Sequence, residues 1–229
     1  MAASLIAFDV FGTLLDTSGV VPHMTSTFGP EAHRAAQLWR DKQLEYTFRR
    51  ALMRQYVDFD VCTAQALDYV SRSFGVELSA AARAEILSSY ARLPAFADVK
   101  AGLEACSRQS YRMLALTNGT EASVRGLLQH AGLTAYFERI LSADRIKTFK
   151  PDRAVYDLAR QVAAPGAQVW LVSANPFDVI GAKACGLRTA WLQRDAARAF
   201  DPWDGFAPDV TVRDLLQLSL ELAHLAVNG

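Results

Sequence analysis

Three runs of four apolar residues each end in a polar side chain, and this repeated juxtaposition restricts the chain more than any other feature. Leu5-Ile6-Ala7-Phe8 runs into Asp9, Met113-Leu114-Ala115-Leu116 into Thr117 and Asn118, and Val169-Trp170-Leu171-Val172 into Ser173 with Asn175 close behind. A strand apolar on both faces must be covered on both faces, so such runs belong in the centre of a parallel sheet. Helical patterns follow the second and third runs, at residues 121–130 and 177–185, and supply the crossovers. The expected fold is α/β: a doubly wound, Rossmann-like parallel sheet with a further strand at 188–192 and a closing helix at 212–227. In an open sheet of this kind the ligand crevice lies at the carboxyl ends of the strands, where all three polar groups fall.

Between the first and second runs, residues 22–93 contain no strand-like segment and read as successive helices. Residues 31–54 carry Leu38, Leu44, Phe48, Leu52 and Met53 at near-helical spacing. A second helix is expected from Thr63, whose hydroxyl is placed to cap it, to just before Gly75. A third is expected from after Ser79 to Arg92-Leu93-Pro94, where proline opposes continuation. The resulting division is a core of residues 1–15 and 95–229 and an inserted helical cap of residues 16–94, standing above the crevice as a lid.

With 229 residues, 51% apolar and 21% charged, the chain has the material for a full globular core. Its 24 basic side chains balance 24 acidic ones, which leaves no basic field for nucleic acid and no polybasic anchor for a membrane. No apolar run approaches the ~20 residues that span a bilayer. The first apolar stretch lacks a charged leader and contains Asp9, so it reads as a core strand and not as a signal peptide. Cys62, Cys106 and Cys185 are odd in number and lack Cys-x-x-Cys spacing. They read as buried, reduced thiols, which fits a cytoplasmic protein.

An aspartate where a buried strand surfaces is suited to nucleophilic attack; the plainer reading is an Asx-turn with Gly12 at positive φ. An Asp-x-Asp pair would add a second acid to protonate a leaving oxygen, and Phe11 has no proton to give. The segment Phe8-Asp9-Val10-Phe11-Gly12-Thr13-Leu14-Leu15-Asp16 resembles the nucleophile loop of the haloacid dehalogenase superfamily, with Phe11 pointing to the halide-displacing enzymes. Leu116-Thr117-Asn118-Gly119, Lys150-Pro151 and Ser173-Ala174-Asn175-Pro176-Phe177-Asp178 follow in that superfamily's order. Trp39-Arg40-Asp41-Lys42-Gln43-Leu44-Glu45-Tyr46 resembles the cap of the L-2-haloacid dehalogenases.

The resemblance implies that Asp9 attacks C2 of an L-2-haloacid with inversion, giving an ester that water hydrolyses to a D-2-hydroxy acid. It implies a halide cradle of Arg40, Asn118 and the edge of Phe177. Lys150 and Thr117, with main-chain N–H groups near Phe11 and Gly119, would hold the substrate carboxylate. Thr13 would bond Asp9 or cap the turn, Tyr156 would orient Lys150 or the substrate, and Asp178 would fix Lys150 in the loop that also carries Ser173 and Asn175. Phe11, Leu44, Phe59 and Phe177 would line an apolar pocket selecting short alkyl chains. Outside the family match, Arg40 reads as a solvated helix-surface cation, and Tyr156 and the phenylalanines as core. Lys150 also reads as the neutralising partner of Asp9. The implied partners are a small haloacid, halide and a second copy of the chain in a homodimer, with no cofactor.

Two rivals stand beside this reading. A Mg²⁺-dependent phosphatase of the same fold would use the same aspartate, but Ala174 occupies the position of a metal-binding acid and Phe11 that of the proton donor. A catalytically inactive anion receptor would keep the pocket without turnover. Thr117 stands where many relatives have serine and adds a methyl group that crowds the carboxylate, Asp41 adds a negative charge next to Arg40 that weakens its hold on halide, and Asp60 adjoins Phe59, where it bears on pocket width.

Overall fold

The computed structural model describes residues 4–109 and 111–228, with side chains described as far as residue 225. Six strands lie along it: β1 (Leu5–Phe8), β2 (Arg112–Thr117), β3 (Arg139–Ser142), β4 (Val169–Ser173), β5 (Arg188–Leu192) and β6 (Val210–Val212). They form one sheet in the order β3-β2-β1-β4-β5-β6, every adjacent pair parallel. The helices are α1 (Val21–Phe28), α2 (Ala32–Met53), α3 (Phe59–Ser73), α4 (Ala80–Tyr90), α5 (Val99–Arg108), α6 (Glu121–His130), α7 (Arg153–Val162), α8 (Pro176–Ala184) and α9 (Leu215–Asn228).

All four residues of β1 are buried, as a central parallel strand requires. Ile6 and Phe8 share one apolar cluster with Val99 and Leu103 of α5 and with Leu215 and Leu218 of α9. Leu5 and Ala7 share another with Val155 and Leu158 of α7 and Ala182 of α8. Each large side chain buried this way contributes about 1.5–3 kcal/mol from apolar transfer alone. The chain runs outward from β1 to β2 and β3, then returns to place β4 on the opposite side of β1. A crevice opens at that reversal, between the carboxyl ends of β1 and β4.

The helical insertion leaves and rejoins the sheet along paired backbone. Leu15 bridges Ala95, the Asp16 N–H donates to the Pro94 carbonyl, and the Phe96 N–H donates to the Leu14 carbonyl. Within the insertion, α2 and α3 pack along their lengths, tied by the Trp39 indole N–H to the Thr63 carbonyl. Trp39, Phe59 and Leu67 belong to the same apolar cluster as Phe8 and Phe11, so the insertion packs directly against the β1 end of the sheet.

The expected α/β architecture, its central strands and the runs of helix are all present, with local corrections. α3 begins at Phe59, one turn before Thr63, and the Thr63 hydroxyl donates back to the Phe59 carbonyl, so it does not cap the helix. The segment expected to be helical from 212 starts with the end of β6, and α9 begins at Leu215. β3 and β6 are additional strands. β3 presents only Ile140 and Leu141 as apolar residues and β6 is three residues long at the sheet edge, too little pattern to separate a strand from a loop. Ser79 does cap α4, accepting the Ala82 N–H. The three cysteines are free and buried, and among the described residues no helix is long and apolar enough to cross a membrane.

Candidate active site

Asp9 lies one residue beyond β1, where the chain turns sharply through Gly12 at φ 82°. Its carboxylate is almost fully enclosed, and its two oxygens are dressed differently. Oδ2 accepts three hydrogen bonds: from the Thr13 hydroxyl at 2.7 Å, the Asn175 side-chain amide at 2.8 Å and the Ser173 hydroxyl at 3.3 Å. Oδ1 faces Lys150 Nζ at 3.0 Å. Thr13 is held in turn, because its hydroxyl accepts the Ala174 N–H at 2.9 Å. The Asn175 amide also donates to the Phe11 carbonyl at 3.1 Å and so stitches the β4 loop to the β1 turn.

Lys150 is buried between two acids, bonding Asp9 and, at 2.8 Å, Asp178 Oδ2. Desolvation pulls the ammonium pKa down, but the Asp178 and Asp9 carboxylates outweigh it and hold it above the usual 10.5. Burial raises the Asp178 carboxyl, opposed by Lys150 and reinforced by the negative charge of Asp9. The Tyr156 hydroxyl donates to Asp178 Oδ1 at 2.9 Å. Both oxygens of Asp178 are therefore occupied, and Tyr156 sits behind it inside the core of α7 and α8. Of the two roles expected of it, orienting Lys150 or the substrate, this contact supports the first, since its hydroxyl bonds the acid that bonds Lys150.

From β2, Asn118 Oδ1 accepts the Lys150 main-chain N–H at 2.8 Å, which fixes the carboxamide and leaves its NH₂ as the end available to an anion. The Gly119 N–H donates to Thr117 Oγ1 at 3.1 Å, so the Thr117 oxygen accepts within its own loop. The Gly119 amide, expected at the substrate carboxylate, is thus engaged with the neighbouring Thr117 side chain. Gly119 matters sterically as well: a Cβ there would stand 3.1 Å from the Phe11 ring.

Phe11 is sandwiched in the apolar wall, 5.0 Å from the Phe59 ring and 5.7 Å from that of Tyr90 between centroids. Arg40 comes down from α2 onto the same loop, donating from Nη2 to the Phe11 carbonyl at 3.2 Å and from Nη1 to Gln43 Oε1 at 2.6 Å. It is anchored over the site and is not a free surface cation. Leu44, one turn further along α2, lines with Arg40 and Asn175 a cavity of about 520 Å³ that Arg194 and Arg198 border from the core. Phe177 packs edge-on against Phe48 of α2, with centroids 5.0 Å apart.

Of the three departures, Asp41 takes a bond from Gln37, and Asp60 takes one from Ser123 on α6. Asp60 thus ties α3 to α6 of the core. Sequence reasoning passed over Gln43, which is wholly buried, accepts from Arg40 and the Tyr90 hydroxyl and donates to Thr63. Its signal was its position three residues after Arg40 on one helix face. Tyr56, whose hydroxyl donates to Asp144 beside the Lys150 loop, was also missed. Nothing in the local pattern marks it.

The ends of β1, β2 and β4 and the loop after β3 thus bring together a buried carboxylate, a buried ammonium and a set of hydroxyl and amide donors, under an aromatic wall. The sheet and this arrangement define a parallel α/β protein whose enclosed polar site is centred on a carboxylate at the end of β1. A family model described as haloacid dehalogenase-like hydrolase matches residues 3–186, and the chain belongs to that family. It is 36% identical to an (S)-2-haloacid dehalogenase of Pseudomonas sp. (strain YL), over 92% of this chain and 90% of that protein. It is 34% identical to haloacetate dehalogenase H-2 of Moraxella sp. (strain B), over 90% of this chain and 92% of that protein. Among solved structures, the L-2-haloacid dehalogenase of Xanthobacter autotrophicus with chloropropionic acid covalently bound superposes with a TM-score of 0.87 at 30% identity, covering 96% of this chain and 98% of that one.

Proposed function

We propose that the protein hydrolyses short L-2-haloalkanoic acids to D-2-hydroxy acids and halide through an ester formed on Asp9. The observation that carries this reading is the unequal environment of the two Asp9 oxygens. Oδ2 already receives Thr13, Asn175 and Ser173, whereas Oδ1 meets Lys150. The attacking atom is Oδ1, which forms the C2–O bond as the C2–halogen bond breaks from the opposite side. The pocket contributes chiefly alignment and removal of solvent from the nucleophile. Oδ2 becomes the carbonyl oxygen of the ester, already seated among three donors. When water adds to the carbonyl carbon, negative charge develops on Oδ2, and the donors around it stabilise that charge. Collapse releases the hydroxy acid, a proton and free Asp9.

The departing halide needs donors and no proton. Arg40 and the Asn118 NH₂ supply them, with the Phe177 rim beside them. Lys150 and the Thr117 hydroxyl face the substrate carboxylate, and Asp178 with Tyr156 keeps Lys150 in place. Phe11, Phe59 and Leu44 limit the alkyl group to a short chain. At Phe11 and Ala174 a magnesium-dependent phosphatase would carry acids, so the site favours displacement at carbon over phosphoryl transfer.

Helices of residues 16–94 act as a cap over this site, in a cytoplasmic homodimer. Support for the dimer comes from Leu52 and Met53 at the end of α2 and Val61 and Tyr69 on α3, large apolar side chains that are 86%, 63%, 40% and 39% exposed. Light scattering is expected to give twice the 25.1 kDa chain mass. The reading as a whole is tested by free-halide release from both enantiomers of 2-chloro- and 2-bromopropionate. Halide and D-lactate from the L substrates alone are expected; turnover of phosphate esters with no halide release would replace it.

A further inference from the structure

We propose that Arg194 is a positioning residue for the hydrolytic half of the reaction, acting through Thr13; the proposal rests on the ester reading above. Arg194 lies in the loop after β5, 181 positions from Thr13. Its Nη2 and Nε both donate to the Thr13 carbonyl oxygen, at 2.7 and 3.2 Å, and its Nη1 pairs with Asp98 Oδ1 at 2.6 Å. The guanidinium carbon stands 3.9 Å from the centroid of the Phe96 ring, so an aromatic face holds the fork from one side and an acid from its end. Asp98 is fixed in its turn, its Oδ2 accepting the Leu215 N–H at the start of α9 at 2.9 Å.

Arg194 has no hydrogen bond to Asp9 among the described residues; its influence is on the direction of the Thr13 side chain. A carbonyl in a tight turn has no ladder to hold it, and here a planar cation holds it with two donors. With the carbonyl clamped, the Thr13 hydroxyl is aimed at Asp9 Oδ2 and kept there by the Ala174 N–H. The two chemical steps use that hydroxyl differently. During alkylation negative charge leaves Asp9 for the halide, so a donor on Oδ2 gives no advantage. During hydrolysis a full charge appears on Oδ2, and each aligned donor lowers the barrier. Loosening Thr13 therefore slows breakdown of the ester more than its formation.

The experiment compares the unaltered enzyme with Arg194→Gln and Arg194→Lys on L-2-chloropropionate, measuring kcat, KM, thermal midpoint and the fraction of quenched protein carrying the ester by intact mass. In Arg194→Gln, kcat is expected to fall roughly ten-fold or more, KM to fall with it, kcat/KM to stay nearly constant, and the ester fraction to rise. Arg194→Lys keeps a cation for Asp98 and one donor for Thr13, and is expected to fall between the two. It also carries the test if the glutamine variant does not fold. A purely structural residue would instead lower kcat and kcat/KM together, with the ester fraction unchanged; that result, or an unchanged kcat, overturns the proposal. Absence of both halide release and ester in the unaltered enzyme overturns the reading of the reaction, and this proposal falls with it.

Discussion

Lys150 Nζ stands 3.0 Å from Asp9 Oδ1, joining two residues 141 positions apart at the buried centre of the site. The bond gives the enclosed Asp9 carboxylate a counter-charge. The same ammonium bonds Asp178, which is wholly buried, so two carboxylates and one cation share an enclosed space. Such a cluster is costly to desolvate and strongly destabilised when one member is removed. Its geometry is maintained by partners on every side: Tyr156 on Asp178, Asn118 on the Lys150 backbone, and Thr13, Ser173 and Asn175 on Asp9.

Asp9→Asn is expected to abolish turnover while the fold survives, since a carboxamide of the same shape is a far weaker nucleophile. Single-turnover reaction of the unaltered enzyme in ¹⁸O-water should place the label on Asp9 and not in the product. Label found directly in the hydroxy acid after one turnover would mean that water attacks the substrate without an ester.

Arg40→Ala should reduce turnover by about two orders of magnitude or more, corresponding to about 3 kcal/mol of lost stabilisation of the departing anion in a dry site. It also removes the bonds to Gln43 and the Phe11 carbonyl. Enantiomer preference should persist in the residual activity, because Asp9 and Lys150 still define the approach. Chiral analysis of products from each enantiomer checks this, and a racemic hydroxy acid from pure L substrate would contradict it.

Chelation should leave the reaction intact. Phe11 and Ala174 remove two acids that a magnesium-dependent relative requires, and Mg²⁺ binds through hard oxygen ligands in near-octahedral geometry. Halide release measured in excess EDTA should match the untreated rate; loss on chelation with recovery on adding Mg²⁺ would show that a metal participates.

The pH dependence follows from Lys150. Burial lowers its pKa, the Asp178 and Asp9 carboxylates outweigh that effect, and the net shift is upward from 10.5. A cation whose folded pKa is raised stabilises the fold fully below the unfolded value and loses that contribution as pH climbs through the folded value. The positive charge of Lys150 therefore persists to the same point. Neither kcat nor the thermal midpoint should show a fall attributable to Lys150 below about pH 10.5, the ordinary lysine value. Profiles of both quantities against pH test this, and a Lys150-dependent decline near pH 8 would indicate that the ammonium lacks its two acids.

The local sequence determined which segments become central strands and which become helices, because four consecutive apolar residues and apolar spacing near 3.6 act within a few residues of themselves. It located Asp9 at a strand end, set Gly12 at positive φ, and placed Lys150 and the 173–178 loop by their likeness to a known family. Edge strands such as β6 escaped it, since three residues with one solvent-facing side carry little pattern. Only the tertiary structure decided how the side chains are used. It put Tyr156 behind Asp178, paired Gly119 with Thr117, turned Asp60 toward Ser123 and brought Arg194 onto the Thr13 carbonyl. These contacts join residues on different elements, or depend on how one loop closes, and their partners are set by how the sheet orders its strands and how the helical insertion settles over them. A pattern read along the chain carries no information about that arrangement.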